Sequence, residues 1–248
     1  MNKLPLVLLA VAALGQDARQ IVEESQKRNR SNTQQYEGVL QVFNPNGKNS
    51  EKRWQFSRSG NYGESKALLR FVSPPEVKGV ALLIVNHPDR ASDQWMWLPE
   101  LQRDRRVAFQ DRSTRFFGTD FSYEDLEERD VNQSDFKLLG EETMDGQPCW
   151  KIESTPKKSK SSQYTRIVMW LRKDIYFPVQ YEMYAKDQLA RRLHYRRIEK
   201  VNGVWSALEM EMFDIKRKGR TVLKSDKLQY NLPLKDELFT LQGLRRGE

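Results

Sequence analysis

From Tyr36 onward, apolar residues recur at every second position, in short runs separated by turn residues. That period belongs to strands, and short connections make successive strands antiparallel neighbours. The first series of runs is Tyr36–Phe43, Glu51–Arg58, Ala67–Val72, Val80–Asn86, Gln94–Leu98 and Gln102–Phe109. Asn44-Pro45-Asn46-Gly47 is a strong turn signal between the first two, and Pro99-Glu100 breaks the last pair. Pro74-Pro75 cannot sit in a central strand and marks a loop. The second series is Cys149–Ser154, Thr165–Arg172, Val179–Ala185, Leu189–Glu199, Val204–Phe213 and Thr221–Tyr230. Lys186-Asp187-Gln188, Asn202-Gly203 and Lys216 to Gly219 join its members as hairpins. The chain should therefore be mainly β, built as antiparallel meanders.

Three segments depart from this period. Asp17 to Arg28 reads as a helix, with Asp17 as N-cap, Ile21 and Val22 on its apolar edge, and charged residues opposite. Gln110 to Asp130 crowds Phe116, Phe117, Phe121 and Tyr123 together. Within it, Ser122-x-x-Asp125 has the spacing of a capping box. The expected local structure is a short helix ending near Gly118, a break, and a second short helix over Tyr123–Glu128. Lys157 to Ser162 reads as a polar hairpin tip.

Several strands carry apolar residues on both faces. Ile167, Met169 and Leu171 alternate with Val168 and Trp170. A flat sheet with one wet face would alternate more cleanly. A strongly curved sheet instead has a concave face that a helix, a plug or a ligand must fill. A few short helices are too little to fill the concavity of about eleven strands, so a half-barrel with an apolar hollow is expected. Met96, Met169, Met183, Met210 and Met212 suit such a hollow, because unbranched thioethers repack around varied apolar cargo. Taken singly, each is as readily an ordinary core methionine.

The first fifteen residues read as a secretory signal peptide. Met1-Asn2-Lys3 is a basic start, Leu4 to Leu14 is apolar, and Ala13-Leu14-Gly15 is a small-x-small exit. The run is roughly half the ~20 residues that span a bilayer. Cleavage near Gly15 would leave 16–248 as a single domain in the periplasm; an uncleaved anchor is the alternative. Net charge is +8, with basic clusters at Arg103 to Arg106, Lys157 to Lys160 and Arg191 to Arg197. An exported protein rarely meets nucleic acid, so these clusters point to anionic head groups or an acidic partner, or else to solvated faces. Cys149 is the only cysteine and should be a buried thiol. The two histidines, His87 and His194, lack the companions of a zinc site. No nucleophile elbow, phosphate loop or other catalytic set emerges, so neither an enzyme nor a cofactor is expected. Asp120, Glu124 and Asp125 are most simply helix-capping carboxylates.

Gly118-Thr119-Asp120-Phe121-Ser122-Tyr123-Glu124-Asp125-Leu126 resembles the signature of the bacterial outer-membrane lipoprotein-sorting protein family, which is similar to the periplasmic lipoprotein carrier of the localisation pathway. Tyr36-Glu37-Gly38, Ser73 to Gly79, Trp95 to Pro99, Arg103 to Arg106, Leu138 to Glu142, Cys149, Asn202 to Trp205 and Asp236 to Thr240 match in order. The resemblance implies an incomplete antiparallel barrel lidded by short helices. It also implies lipid or lipoprotein acyl chains as cargo, transient membrane contact, and an inner-membrane exporter of the resistance–nodulation–division type as partner. On this reading Trp54, Phe56, Phe71, Met96, Leu98, Met169, Leu171, Met183, Met210 and Met212 contact cargo. Phe116, Phe117, Phe121 and Tyr123 form the lid, and Arg103, Arg105 and Arg106 a basic rim. A periplasmic module that senses lipid without transporting it is the alternative.

Overall fold

A single antiparallel sheet of thirteen strands dominates the computed structural model, which describes residues 17–246. The signal-peptide reading lies outside the described residues. The first meander is β1 (Thr33–Phe43), β2 (Asn49–Asn61), β3 (Glu64–Ser73), β4 (Ala81–Val85), β5 (Asp93–Leu98) and β6 (Arg103–Arg106). The second opens with β7 (Ser134–Met144), β8 (Gln147–Pro156), β9 (Arg166–Arg172) and β10 (Pro178–Ala185). It closes with β11 (Gln188–Val201), β12 (Val204–Asp214) and β13 (Gly219–Tyr230). Across the sheet the order is β6-β5-β4-β3-β2-β1-β13-β12-β11-β10-β9-β8-β7. The two meanders meet at the centre, where β1 pairs with β13 and Val39 faces Lys224.

One consequence of this order governs everything else. Strands β6 and β7 are consecutive in the chain yet form the two free edges of the sheet. Residues 107–133 must therefore run from one edge to the other, and they do so across the concave face. The sheet is curved and unclosed. Register shifts between Gln35 and Glu37, Arg53 and Trp54, Leu138 and Gly140, and Met183 and Tyr184 increase its local twist.

Both faces of the strands are used, which explains their apolar double pattern. On β9, Ile167, Met169 and Leu171 face inward, while Val168 and Trp170 pack outside with Cys149. The outer face of β3–β5 carries Leu68, Ala81, Leu83, Trp95 and Trp97. Phe239 and Leu244 cover it, from a 3₁₀ turn at Asp236–Phe239 and the short α2 (Leu241–Arg245). Helix α1 (Ala18–Arg28) lays Ala18, Ile21 and Val22 against Ile152, Met169 and Leu171, filling the β7–β9 end of the concavity. Asp17 sits at its N-cap and its carbonyl accepts from Ile21, but its side chain makes no capping bond.

Three expectations need correction. Thirteen strands form rather than about eleven, and β7 had no signal. As an exposed edge strand it needs few apolar residues: Leu138 and Leu139 are exposed beside the bulge at Gly140. No helix ends at Gly118. Arg115 instead bridges to Ser122 in a narrow hairpin, with Phe117 and Gly118 both at positive φ, 44° and 76°. The expected helix over Tyr123–Glu128 is one 3₁₀ turn, Glu124–Leu126. Starting a helix is costly, and these side chains find better partners on the sheet.

Candidate functional site

The ten residues expected to contact cargo come from six strands and all lie in adjoining apolar clusters on the concave side. Trp54 and Phe56 are on β2, Phe71 on β3, Met96 and Leu98 on β5, Met169 and Leu171 on β9, Met183 on β10, and Met210 and Met212 on β12. Much of this surface is covered by the crossing segment. Phe116 stacks on Phe71 with ring centres 5.4 Å apart and lies 6.2 Å from Trp54. Phe117 and Tyr123 meet Phe116 edge-on at 5.1 and 5.4 Å. Phe121 packs farther along, with Met183 and Met212. The four lid aromatics thus seat the segment on both halves of the sheet.

Two cavities remain beneath it. One, of about 290 Å³, lies between α1, the lid and β8–β12. The other, of about 320 Å³, lies between the lid and β1, β2, β12 and β13. They adjoin: Tyr62, Phe177, Leu193 and Tyr195 line both, as do the lid's Asp125 and Glu127. Met169, Leu171 and Met212 line the first; Trp54, Phe56 and Met210 line the second. Phe71, Met96, Leu98 and Met183 line neither and are packed beneath the lid and its neighbours. Each cavity is near the lower end of the ~300–1,000 Å³ typical of small-ligand pockets.

The lid is also held by charge. Glu127, with its side chain 1% exposed, accepts from Arg112 at 2.7 and 2.8 Å and from Lys160 at 2.8 Å. Burial alone would raise its carboxyl pKa, but Lys160 and Arg112 outweigh it and hold the value below the ordinary range. Glu128 accepts from Arg58 at 2.5 Å and from Ser65 at 2.7 Å. Glu124 accepts from the Gln163 backbone at 2.9 Å and from the Ser162 hydroxyl. Asp120 accepts from the Thr221 hydroxyl at 2.7 Å, and burial pushes its carboxyl up.

Asp125 does form the expected capping box: Ser122 N–H donates to it at 2.8 Å, and Ser122 Oγ accepts from Asp125 N–H at 3.3 Å. It also accepts from the Tyr164 hydroxyl at 2.7 Å and lies 3.6 Å from Arg191. Capping is thus a minor part of what these carboxylates do: they tie the lid to β2, β11, β13 and the Lys157–Ser162 tip. The ion pairs with Arg58, Arg112, Lys160 and Arg191 were not foreseen. An acidic run reads the same in sequence whether its partners are water or buried cations.

The basic rim lies on exposed edge strand β6. Arg105 pairs with Asp111 at 3.3 Å, and Arg106 pairs with Asp93 and lies over Trp95. Asp93 is held well below the usual carboxylate range, first by Arg90 and also by Arg106 and His87, despite some burial. Cys149 is buried as expected, and burial pushes its thiol pKa up. Among the described residues, no group of three His, Cys, Asp or Glu is placed to hold a metal ion, and no helix is long and apolar enough to cross a membrane.

An unclosed antiparallel half-barrel, crossed on its concave side by residues 107–133 above two cavities, is a LolA-like fold. The profile of a family described only as uncharacterised proteins matches residues 63–246, and the chain belongs to that family. A DUF1329 family protein from Desulfovibrio piger is 28% identical, with 92% of this chain and 97% of that one covered and a TM-score of 0.88. A domain from Vibrio parahaemolyticus named for outer membrane lipoprotein sorting is 27% identical, with coverage of 92% and 98% and a TM-score of 0.88. A LolA superfamily protein from Nitrosomonas europaea shares the fold at 20% identity, 90% and 97% coverage and a TM-score of 0.73. These findings agree with the resemblance carried by Gly118–Leu126 and its companion segments. No curated protein matches the chain in sequence.

Proposed function

We propose that the protein is a periplasmic carrier of lipid or lipoprotein acyl chains, passing them between an inner-membrane exporter and the outer membrane. The observation that carries this reading is the topology: the chain spends residues 107–133 spanning the concave face, edge to edge, above two adjoining cavities. A covering that only plugged a core would leave no such space.

In this mechanism the lid segment lifts, an acyl tail enters beside Trp54, Phe56, Met169, Leu171, Met210 and Met212, and the lid reseats. Deeper insertion exposes Phe71, Met96, Leu98 and Met183 as Phe116, Phe117 and Tyr123 withdraw. The hydrophobic effect supplies roughly 0.8 kcal/mol per buried methylene, so affinity needs no elaborate head-group chemistry. The role is binding and transfer rather than catalysis. Arg103, Arg105 and Arg106 border the start of the lid and meet an anionic membrane or donor there. Export with cleavage near Gly15 delivers the domain to the periplasm.

Transfer between vesicles tests this. Donor vesicles carrying a fluorescent acyl lipid are mixed with unlabelled acceptors, with and without the protein. A carrier accelerates movement of label in proportion to its concentration. Saturable binding without transfer would point instead to a lipid-sensing module.

A further inference from the structure

Among the cations around the two cavities, Arg129 differs in that its side-chain hydrogen bond goes to sulfur and not to oxygen. Arg112 and Lys160 share Glu127, and Arg58 is paired to Glu128. Arg191 donates to the Tyr164 hydroxyl at 2.7 Å and to the Asp120 carbonyl at 3.1 Å. Arg129, which lines the first cavity, is served differently. Its nearest acceptor is the thioether of Met183, at 3.4 Å from Nη2. Its nearest carboxylate, Asp125, stands 3.6 Å away and is already engaged by Ser122 and Tyr164. The rings of Tyr164 and Tyr181 flank it, each 5.9 Å from the guanidinium carbon. The side chain is 31% exposed, and its backbone is fixed by Gln26, which donates to the Arg129 carbonyl at 2.6 Å.

A guanidinium has five N–H donors in a planar fork that matches a carboxylate or phosphate. A thioether is a weak acceptor, so most donors of the partly exposed Arg129 fork are left to solvent or to an arriving ligand. A fold would keep such a fork beside an apolar cavity if an outside anion completes it. The second cavity, which adjoins this one, is walled by Tyr36, Trp54, Phe56, Leu69, Met210 and Leu223.

Building on the carrier reading, we propose that Arg129 receives the anionic head group, carboxylate or phosphate, of a single-tailed acyl ligand whose chain runs into the second cavity. The head group takes the fork of Arg129, the rings of Tyr164 and Tyr181 shield it from water, and the tail passes Tyr62 and Tyr195. The protein on this account selects acidic amphiphiles over neutral ones of the same length.

Competition on the delipidated protein tests it, with N-phenyl-1-naphthylamine as an uncharged fluorescent probe. The competitors are palmitate, lysophosphatidylglycerol and 1-hexadecanol. The expected result is displacement by one or both anions at concentrations about tenfold below those needed for hexadecanol. Which anion is stronger identifies the head group. Arg129→Gln should bring all three competitors together, each scaled to the variant's own probe affinity, and Arg129→Lys should retain a preference for anions. Equal competition by hexadecanol and both anions on the wild type overturns the proposal, and so does an unchanged preference in Arg129→Gln. If Arg129→Gln fails to fold, the wild-type comparison and Arg129→Lys still decide it. Absence of any probe uptake by the wild type would instead sink the carrier reading, and this proposal with it.

Discussion

Gly38 shows how tightly the concave wall is set. It lies on β1 directly opposite Trp54, and a Cβ there would overlap the Trp54 indole. Trp54 is 2% exposed and packs on Phe71 and Phe116, so it has nowhere to retreat. Gly38→Ala should destabilise the fold by about 1–3 kcal/mol in urea titration, through overpacking. Glu127 is the other residue on which much depends. Its replacement by Gln leaves Arg112 and Lys160 facing a neutral group in a buried site, which costs about 3–5 kcal/mol when a buried pair is broken. The pH dependence follows from the same contacts. Folding holds this carboxyl below its ordinary value of 4.5, so the ionised form is the one the fold favours. Its contribution is complete above that pH and is lost as pH falls through the depressed folded value. Denaturation midpoints should therefore drop on acidification below about 4.5, and drop less in Glu127→Gln. At this scale the apolar half of the site was legible: every residue expected on the concave face is there, because period-two spacing assigns faces once one residue is placed. Arg129 and the Glu127 pairs were not, because pairing across the fold leaves no local trace in sequence.

The lid is the element whose behaviour matters most. It contains no α-helix among the described residues; short 3₁₀ turns at Phe109–Asp111, Glu124–Leu126 and Val131–Gln133 punctuate it. Its attachment is therefore through side chains: aromatic rings on one side, and carboxylates paired with Arg58, Lys160 and Arg191 on the other. Elements with few regular backbone hydrogen bonds open locally at lower cost than the sheet beneath them. Hydrogen exchange should accordingly find residues 107–133 less protected than β1, β2, β12 and β13. Glu127→Gln should speed exchange in the lid and the Lys157–Ser162 tip while leaving the central strands unchanged. Equal protection of lid and centre would indicate a fixed plug. The sequence identified this segment by its aromatics and capping box but misread its form as two helices. Phe117 explains part of the error. A phenylalanine at positive φ is an unusual choice for a hairpin turn, and here it places the ring against Phe71 at 5.5 Å. The edge strand β7 was overlooked for a related reason: one partner and an exposed face demand little of its sequence.

For the whole molecule, two local meanders would give two separate sheets; the pairing of β1 with β13 makes them one. That contact joins distant parts of the chain, and no turn signal announces it, so the strand order could not be read from periodicity. Once it is made, the free edges fall to β6 and β7, and the connection between them becomes a cover by necessity. Charge fits the same frame, with the exposed arginines of β6 standing where that cover begins. The chain thus combines a rigid curved wall with a strap anchored at both edges, and the space between them is where function is expected to reside. The most direct test of that claim is a titration of the delipidated protein with a fluorescent fatty-acyl probe, alongside Met210→Asp. The account predicts saturable uptake at micromolar probe by the wild type and marked weakening in the variant, whose carboxylate would project into the second cavity. No uptake by the wild type at that concentration, or equal uptake by both, would contradict it.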